Sequence, residues 1–212
     1  TVGGFVWLLP NEHGDYPLPI GHLVSQVFRE TVTPESLRGR YASKTFTILL
    51  IPGHDREYSG AVHGGLREAD LTLLLAARLK ADLERAGKWR VITTRDFRTG
   101  EYTPEFATYF EREREQINSF RSQIRAKFAS LLRSGAVEPS DQPVRHNFAP
   151  TEVAHRLYGI NRWANENGVD LTLHLHFNDY PGRRGASKYR GFSIYIPERQ
   201  FPNARASREL AE

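Results

Sequence analysis

The chain is 212 residues long, with 39% hydrophobic and 25% charged residues, the composition of an ordinary soluble globular domain with one sizeable core. It contains no cysteine, which excludes disulfides and thiolate metal sites and leaves histidine and carboxylate side chains as the strong metal ligands. The net charge of +4 would suit an anionic partner, but opposite charges are interspersed, so we interpret them as a solvated surface and expect no nucleic-acid partner.

Residues 1–44 contain four prolines among scattered aromatic residues. This composition predicts an irregular N-terminal arm. Within it, the Thr-Pro-Glu-Ser sequence from Thr33 offers a helix cap followed by proline at the first helical position, so we expect one short helix there.

A strand, a glycine-rich loop and a helix follow the arm. The apolar run Phe46–Ile51 predicts a strand buried on both faces of a parallel sheet, and Pro52-Gly53 ends it. The loop reaches Arg67, and the next helix opens near Glu68 and stops before Gly87. Its predicted core face consists of leucines at helical spacing: Leu71, Leu74, Leu75, Leu79 and Leu83.

Trp89–Thr94 reads as a second strand, which completes a βαβ unit. Residues 97–150 then form a predicted insertion, in which one helix is expected to begin at Thr103-Pro104 and to end near Gly135. One apolar stripe is expected along it: Phe106, Phe110, Ile117, Phe120, Ile124, Phe128 and Leu131.

The last third of the chain also alternates between predicted helices and predicted strands. A helix is predicted over Thr151–Asn167, a strand over Leu171–Asn178, another strand over Gly191–Ile196 and the start of a helix over Ser207–Glu212. The core face of the first helix is expected to be Val153, Leu157, Ile160 and Ala164. The fold class is therefore α/β: an open, mostly parallel, twisted sheet flanked by helices, in a domain of residues 45–212.

Three potential metal ligands occupy equivalent places in this pattern. His54 follows the first strand, Glu68 opens the next helix, and His176 lies near the end of a later strand. The carboxyl ends of parallel strands meet in one crevice, so these side chains can come together. Two imidazoles and one carboxylate leave a fourth position for water, the pattern of a catalytic zinc site.

Each ligand has a rival or a simpler explanation. Glu57 is a second carboxylate close to His54, and Glu68 would also suit the positive end of a helix dipole. His174 competes with His176, because alternation along the strand puts both on one face. We favour Glu68 and His176.

Three other polar residues have less specific roles. His63 lies in the glycine-rich loop, where it is an ordinary loop residue or contacts substrate. Asn178 shares the histidine face of its strand and would orient a ligand, bind substrate or form a turn. Arg95 is expected to pair with a carboxylate.

Several motifs, in this order, carry a family resemblance: IPGHDRE with the glycine-rich loop, GGLREADLTLLLAARL, VITTRD, INRWANENGVDLTLHLHFND and RGFSIYI. The chain resembles the zinc-dependent N-acetylmuramoyl-L-alanine amidases, which cleave peptidoglycan. The resemblance covers residues 46–96 and 151–212. It implies a zinc cofactor held by His54, Glu68 and His176, with peptidoglycan as partner and substrate. His174 stands where the family usually has a small polar residue.

The chain departs from the family in two places. The insertion at residues 97–150 is longer than the catalytic fold requires. The catalytic glutamate of the family lies in a late strand, before a Gly-Phe pattern, and the chain ends before any such stretch, so we expect a domain incomplete at its C-terminus with its general base not visible.

The resemblance implies hydrolysis of the amide between N-acetylmuramic acid and L-alanine. Two alternatives stay open: a catalytically inactive cell-wall-binding or regulatory module, and a zinc carboxypeptidase or other amidohydrolase that would use His54, Glu57 and His176. An extracytoplasmic location is expected, although no signal peptide is visible after Thr1. The sequence contains no run of about 18 apolar residues, so it predicts no membrane span.

Overall fold

The computed structural model describes residues 32–136, 138, 150–177, 194–197 and 203–212. The helices in these ranges are α1 (Pro34–Ser43), α2 (Glu68–Arg85), α3 (Pro104–Arg112), α4 (Arg114–Arg133), α5 (Thr151–Glu166) and α6 (Ala204–Ala211). The strands are β1 (Phe46–Pro52), β2 (Val62–His63), β3 (Leu66–Arg67), β4 (Trp89–Thr93) and β5 (Leu171–Leu175). Within the described ranges, no helix has the length and apolar character needed to cross a membrane.

The main sheet has the order β4-β1-β5, with β1 parallel to both neighbours. The central place of β1 explains its apolar sequence, because helices cover both of its faces and leave almost none of the strand exposed. The predicted α/β class and the βαβ unit are therefore confirmed. A second, two-stranded antiparallel sheet, β2-β3, forms a small hairpin just before α2.

The two faces of β1 pack against different helices. Ile48 and Leu50 face the core that includes Leu79 and Leu83 of α2. The opposite face carries Leu49 and packs into the larger core. That core takes most of its buried side chains from α3, α4 and α5: Phe106, Tyr109, Phe110, Ile117, Ile124, Phe128, Leu131, Tyr158, Ile160, Trp163 and Ala164. The helices of the predicted insertion are thus a layer of the fold.

The expectation of one continuous helix in the insertion is wrong. The apolar stripe exists, but α3 and α4 share it. The helix is interrupted at Glu113, whose backbone angles (φ −99°, ψ 19°) lie outside the helical range. The Glu113 carboxylate accepts hydrogen bonds from Arg112 (2.9 Å) and from Arg162 of α5 (3.0 Å). These bonds tie the corner to α5, so both halves of the stripe reach the same core.

The predicted core face of α2 is also partly wrong. Leu74 is 69% exposed and Leu75 is 40% exposed. Apart from Leu73, the residues that the helix buries in its first three turns are small or polar instead: Glu68, Ala69, Thr72 and Ala76. Their size lets α2 lie close to the end of β1, where the Thr72 hydroxyl donates to the Gly53 carbonyl at 2.8 Å.

The remaining boundaries follow the sequence closely. The helix expected from Thr33 is α1, and it begins with a capping box between Thr33 and Ser36. In α5, Ile160 and Ala164 are buried as predicted, whereas Val153 and Leu157 are only half-buried. The main additional buried side chains of α5 are Ala154, His155, Tyr158 and Trp163.

The second half of the predicted C-terminal pattern is less regular. The strand expected over Leu171–Asn178 ends at Leu175. Of the strand expected over Gly191–Ile196, residues 191–193 lie outside the described residues, and 194–196 are not in a strand. The final helix, α6, begins at Ala204, three residues before the predicted start.

Two helical glycines offer a matched test of this packing. A Cβ at Gly159 would lie 2.9 Å from Phe110 and 3.0 Å from Ile117, whereas a Cβ at Gly39 would meet nothing within 4 Å. We expect Gly39→Ala to raise the free energy of unfolding by about 1 kcal/mol through helix propensity. Gly159→Ala should lower it by about 1 kcal/mol or more, because overpacking exceeds the same gain. Urea denaturation measures both changes, and a stabilising Gly159→Ala would contradict the described contact of α5 with α3 and α4.

His155 provides a pH test of the same core. Its ring is 1% exposed, with Nε2 at 3.2 Å from the Phe110 carbonyl and Nδ1 at 3.1 Å from the Asn118 side-chain amide. Burial lowers the pKa of His155 from its ordinary 6.5, outweighing the raising effect of the Phe110 bond. The unfolded chain therefore binds a proton here at a higher pH than the folded chain does.

The stabilising contribution of neutral His155 should be complete above pH 6.5 and should be lost as the pH falls below that value. Urea denaturation at pH 7.5 and pH 5.5 measures this loss. We expect a smaller loss in His155→Gln than in the parent chain. Equal losses in the two proteins would contradict a lowered pKa at this position.

Candidate metal centre

The end of β1 approaches the end of β5 unusually closely at Gly53. The Gly53 amide donates to the Leu175 carbonyl at 2.8 Å, which extends the pairing of the two strands by one bond. A Cβ at position 53 would lie 2.4 Å from Cε1 of His176 and 2.6 Å from the Leu175 carbonyl oxygen. Glycine is needed here, because only a residue without a side chain lets His54 and His176 follow their strands as neighbours.

His54 has a left-handed backbone, with φ at +64°, and no other non-glycine residue in the described part of the chain has a positive φ. This conformation costs about 1–2 kcal/mol. The turn that follows holds it in place: Asp55 Oδ1 accepts from the amides of Glu57 (3.0 Å) and Tyr58 (2.7 Å), and the Asp55 amide donates to the Tyr58 carbonyl (3.1 Å). The strained backbone therefore sets the direction of the His54 imidazole. Backbone strain of this kind is found most often at functional sites.

Glu68, the first residue of α2, is only 6% exposed and lies between the two imidazoles. Its Oε1 accepts from the Phe177 amide at 2.9 Å and lies 3.0 Å from His176 Nδ1. Its Oε2 accepts from the Ala61 amide at 3.1 Å and lies 3.2 Å from His54 Nε2. Each oxygen of the buried carboxylate is thus held by one backbone amide and one imidazole of its own.

The pKa of Glu68 reflects two opposing effects. Burial raises the pKa of the carboxyl group, but hydrogen bonds from His176, His54 and the two backbone amides outweigh burial and hold the pKa well below its usual range. The carboxylate is therefore ionised at neutral pH. A negative charge at this place also suits the first turn of α2, where the helix dipole is positive.

The three side chains fit a divalent metal ion. One potential ligand atom from each of His54, Glu68 and His176 lies within 4.8 Å of the others, and the imidazole centroids are 4.9 Å apart with the rings nearly perpendicular. Bonds of about 2 Å in tetrahedral geometry separate ligand atoms by about 3.3 Å. The two imidazole-to-carboxylate distances, 3.0 and 3.2 Å, are close to that value.

The cluster is open on one side. The carboxylate is buried, but the side chains of His54 and His176 keep 30% and 35% of their surface exposed. An ion held by the three groups would therefore be reachable from solvent. Such openness is typical of catalytic metal sites rather than of closed structural ones.

The other candidate residues lie elsewhere. His174 is outside the cluster, opposite Ile51 in the sheet, and burial together with the neighbouring His176 lowers the pKa of His174 to about 3. Its Nε2 has no hydrogen-bond partner within the described residues. His63 is exposed in β2, opposite Leu66 of the hairpin, and Asn178 lies outside the described residues.

Glu57 is not brought to the imidazoles. It is exposed, and its Oε2 accepts a hydrogen bond from Arg156 at 3.0 Å. Arg156 also donates to Asp55 Oδ2 at 2.8 Å, so it fastens the turn after His54 to α5. The set of His54, Glu57 and His176 is therefore not assembled.

Asp55 and Arg156 are the residues that the sequence reasoning missed. The side chain of Asp55 bonds to amides two and three residues later, and aspartate in a loop signals such a turn. The partner Arg156 lies 101 residues away in the sequence, and no local pattern predicts that contact.

Arg95 fixes the start of α2 from the other side. It is 1% exposed, and its guanidinium donates to the Gly100 carbonyl at 2.9 and 2.8 Å and to the Ala69 carbonyl at 3.2 Å. The expected pairing with a carboxylate is wrong within the described structure, because these hydrogen bonds go to the backbone. Since Ala69 follows Glu68, Arg95 connects the turn after β4 to the residue that organises the cluster.

We expect Arg95→Lys to lower the free energy of unfolding by about 2–4 kcal/mol, because an ammonium group cannot reproduce the forked bonds and would leave buried carbonyls unpaired. Arg90→Lys is the matched control, since Arg90 lies in β4, the strand that precedes Arg95, and is exposed. It should change stability by less than about 0.5 kcal/mol. Urea denaturation measures both free-energy changes. Equal stabilities of the two variants would contradict the role of Arg95 in holding the Gly100 and Ala69 carbonyls.

The family model described as N-acetylmuramoyl-L-alanine amidase matches residues 48–212, a range that contains all three residues of the cluster. No curated protein and no solved structure shows significant similarity to the chain.

Proposed function

The chain belongs to the N-acetylmuramoyl-L-alanine amidase family, and we propose that it hydrolyses the amide between N-acetylmuramic acid and L-alanine in peptidoglycan with the help of zinc. The observation that carries this proposal is the cluster of His54, Glu68 and His176 at the carboxyl edge of the sheet, inside the matched region. Since the substrate is a component of the cell wall, the proposed place of action is extracytoplasmic.

Zinc is the ion that this donor set favours. Two imidazole nitrogens and one carboxylate oxygen, with one side open, are typical ligands of catalytic zinc, and the chain has no cysteine for a closed thiolate site. When bound, zinc would supply a Lewis acid for the amide carbonyl and would lower the pKa of water.

The chain's own residues prepare the site in three ways. Glu68 contributes a negative charge that stays ionised, since its hydrogen bonds lower its pKa. The left-handed backbone of His54 and the Asp55 turn aim one imidazole, and the contact of Gly53 with Leu175 places the other beside it. The exposed sides of the two rings leave room for the substrate amide.

A proton must also reach the leaving amine of L-alanine. The three cluster residues would use their lone pairs on the metal, so a further group has to carry this proton. The resemblance assigns that task to a glutamate in a late strand, and we assign it to no residue of this chain.

The zinc site can be tested independently of catalysis. After loading with zinc and dialysis, we expect about one zinc per chain in the parent protein and an affinity at least about tenfold weaker in His54→Ala, Glu68→Ala and His176→Ala, because each change removes one ligand. Glu57→Ala is the matched control: it removes a nearby exposed carboxylate and should leave zinc content unchanged. Unchanged zinc content in the cluster variants, or loss only in Glu57→Ala, would refute the assignment.

The reaction itself is tested by incubating the zinc-loaded protein with purified peptidoglycan. We expect release of stem peptides with a free L-alanine amino group, and no release after chelation of the metal. Zinc binding together with wall binding but without cleavage would overturn the proposed hydrolysis and leave a wall-binding module.

A further inference from the structure

A shallow groove of about 280 Å³ lies between α2 and the turn that follows β4. Its apolar part includes Leu74, which is 69% exposed, and Phe97, which is 37% exposed. Exposed apolar side chains of this size that line one groove often mark a binding surface. Leu74 belongs to none of the hydrophobic core clusters of the described residues, whereas Leu79 of the same helix packs against the core of Ile48 and Leu50.

The charged residues of the groove are mostly basic. The lining includes Arg56, Arg67 and Arg98 against the single carboxylate of Asp70, a net charge of +2. Arg67 is held by Asp70 through two bonds of 2.8 and 2.9 Å, and Arg56 reaches Glu101 at 3.2 Å.

Arg98 is the guanidinium that is open to a ligand. It is exposed, and its side chain makes no hydrogen bond or ion pair in the part of the chain that the structure describes, although the nearby Asp96 carboxylate attracts it electrostatically. An exposed guanidinium beside apolar side chains suits a carboxylate that is attached to a small aliphatic group.

The wall that carries Arg98 is rigid before any ligand arrives. Asp96 Oδ1 accepts from the amides of Arg98 (2.9 Å) and Thr99 (2.8 Å), and the Gly100 amide donates to the Asp96 carbonyl (2.8 Å). The buried Arg95 holds the Gly100 carbonyl from beneath. A preorganised wall reduces the entropy lost on binding.

The groove adjoins the candidate metal centre along the chain on two sides. Arg67 directly precedes Glu68, so their Cα atoms are about 3.8 Å apart, and Arg56 follows His54 by two residues, at most about 7.6 Å away. Both the groove and the cluster lie at the carboxyl edge of the sheet, the groove after β4 and the cluster after β1 and β5. An extended ligand that leaves the cluster past Arg67 would enter the groove, because Arg67 lines it.

We propose that this groove, with Arg98 as its exposed cation and Leu74 and Phe97 as its apolar contacts, binds the carboxylate-bearing peptide stem of peptidoglycan. The proposal rests on the proposed function and names the part of the substrate that lies on the L-alanine side of the scissile amide. The stem suits the groove because it combines small alanine side chains with the free carboxylate of γ-linked D-glutamate. A glycan strand offers neither an apolar side chain nor this carboxylate.

The test uses the product peptide L-alanyl-γ-D-glutamyl-L-lysine, which lacks the muramoyl amide and cannot be cleaved by the proposed reaction. Calorimetry would compare it with the same peptide in which both carboxyl groups are carboxamides. We expect the free acid to bind the zinc-loaded protein at least about tenfold more tightly, and more weakly as ionic strength rises. Equal binding of the two peptides would overturn the proposal.

Two variants and a control localise the binding. Arg98→Gln should weaken binding of the free acid by about tenfold and leave the carboxamide unaffected, because it removes one charge-assisted bond. Leu74→Gln should weaken both peptides to the same extent. Arg78→Gln is the matched control, since Arg78 belongs to α2, is 76% exposed and lies outside the groove. Equal effects of Arg98→Gln and Arg78→Gln would overturn the proposal.

Inorganic phosphate separates a peptide site from a general anion site. If phosphate displaces the free acid at equal concentration, and Arg98→Gln weakens both, the groove is not specific for the stem and the proposal fails. The outcome is independent of the zinc and cleavage tests. Cleavage of peptidoglycan without Arg98-dependent binding would support the proposed function and refute the groove. Arg98-dependent binding without cleavage would support the groove and refute the proposed function.

Discussion

The structure depends on one buried carboxylate at the junction of three segments. Glu68 is almost inaccessible, and an isolated charge in such a place is strongly unfavourable. The Ala61 and Phe177 amides and the two imidazoles compensate it, so the glycine-rich loop, the start of α2 and the end of β5 all have to meet there. The same contacts that make the charge tolerable place the nitrogens of His54 and His176 at ligand distance from its oxygens.

Gly53 and Gly60 show how little room this junction leaves. A Cβ at Gly60 would lie 2.5 Å from the His54 ring and 2.6 Å from Glu68 Oε2, as a Cβ at Gly53 would meet the His176 ring. The glycines of the loop therefore have two roles. They permit the turn, Gly60 with φ at +72°, and they leave the space that the side chains of His54, Glu68 and His176 occupy.

Much of this arrangement could be predicted from local sequence. Strand and helix periodicity gave β1, α2, β4 and α5, and the family resemblance, confirmed by the match over residues 48–212, gave the order of the motifs. Contacts between distant segments could not be predicted in the same way. Leucines occupy several sides of α2, and the contact of Thr72 with Gly53 decides that Leu74 faces outward. The bond of Arg156 to Asp55 has no local signal at all.

The outward orientation of Leu74 on α2 has a consequence for recognition. The small buried face that brings Glu68 close to β1 leaves Leu74 on the side of the turn after β4, and Arg95 joins this turn to Ala69 through backbone carbonyls. One buried guanidinium thus contacts both the start of α2, where Glu68 lies, and the turn that forms the wall of the groove. A change that shifts α2 should therefore move Glu68 and this turn together.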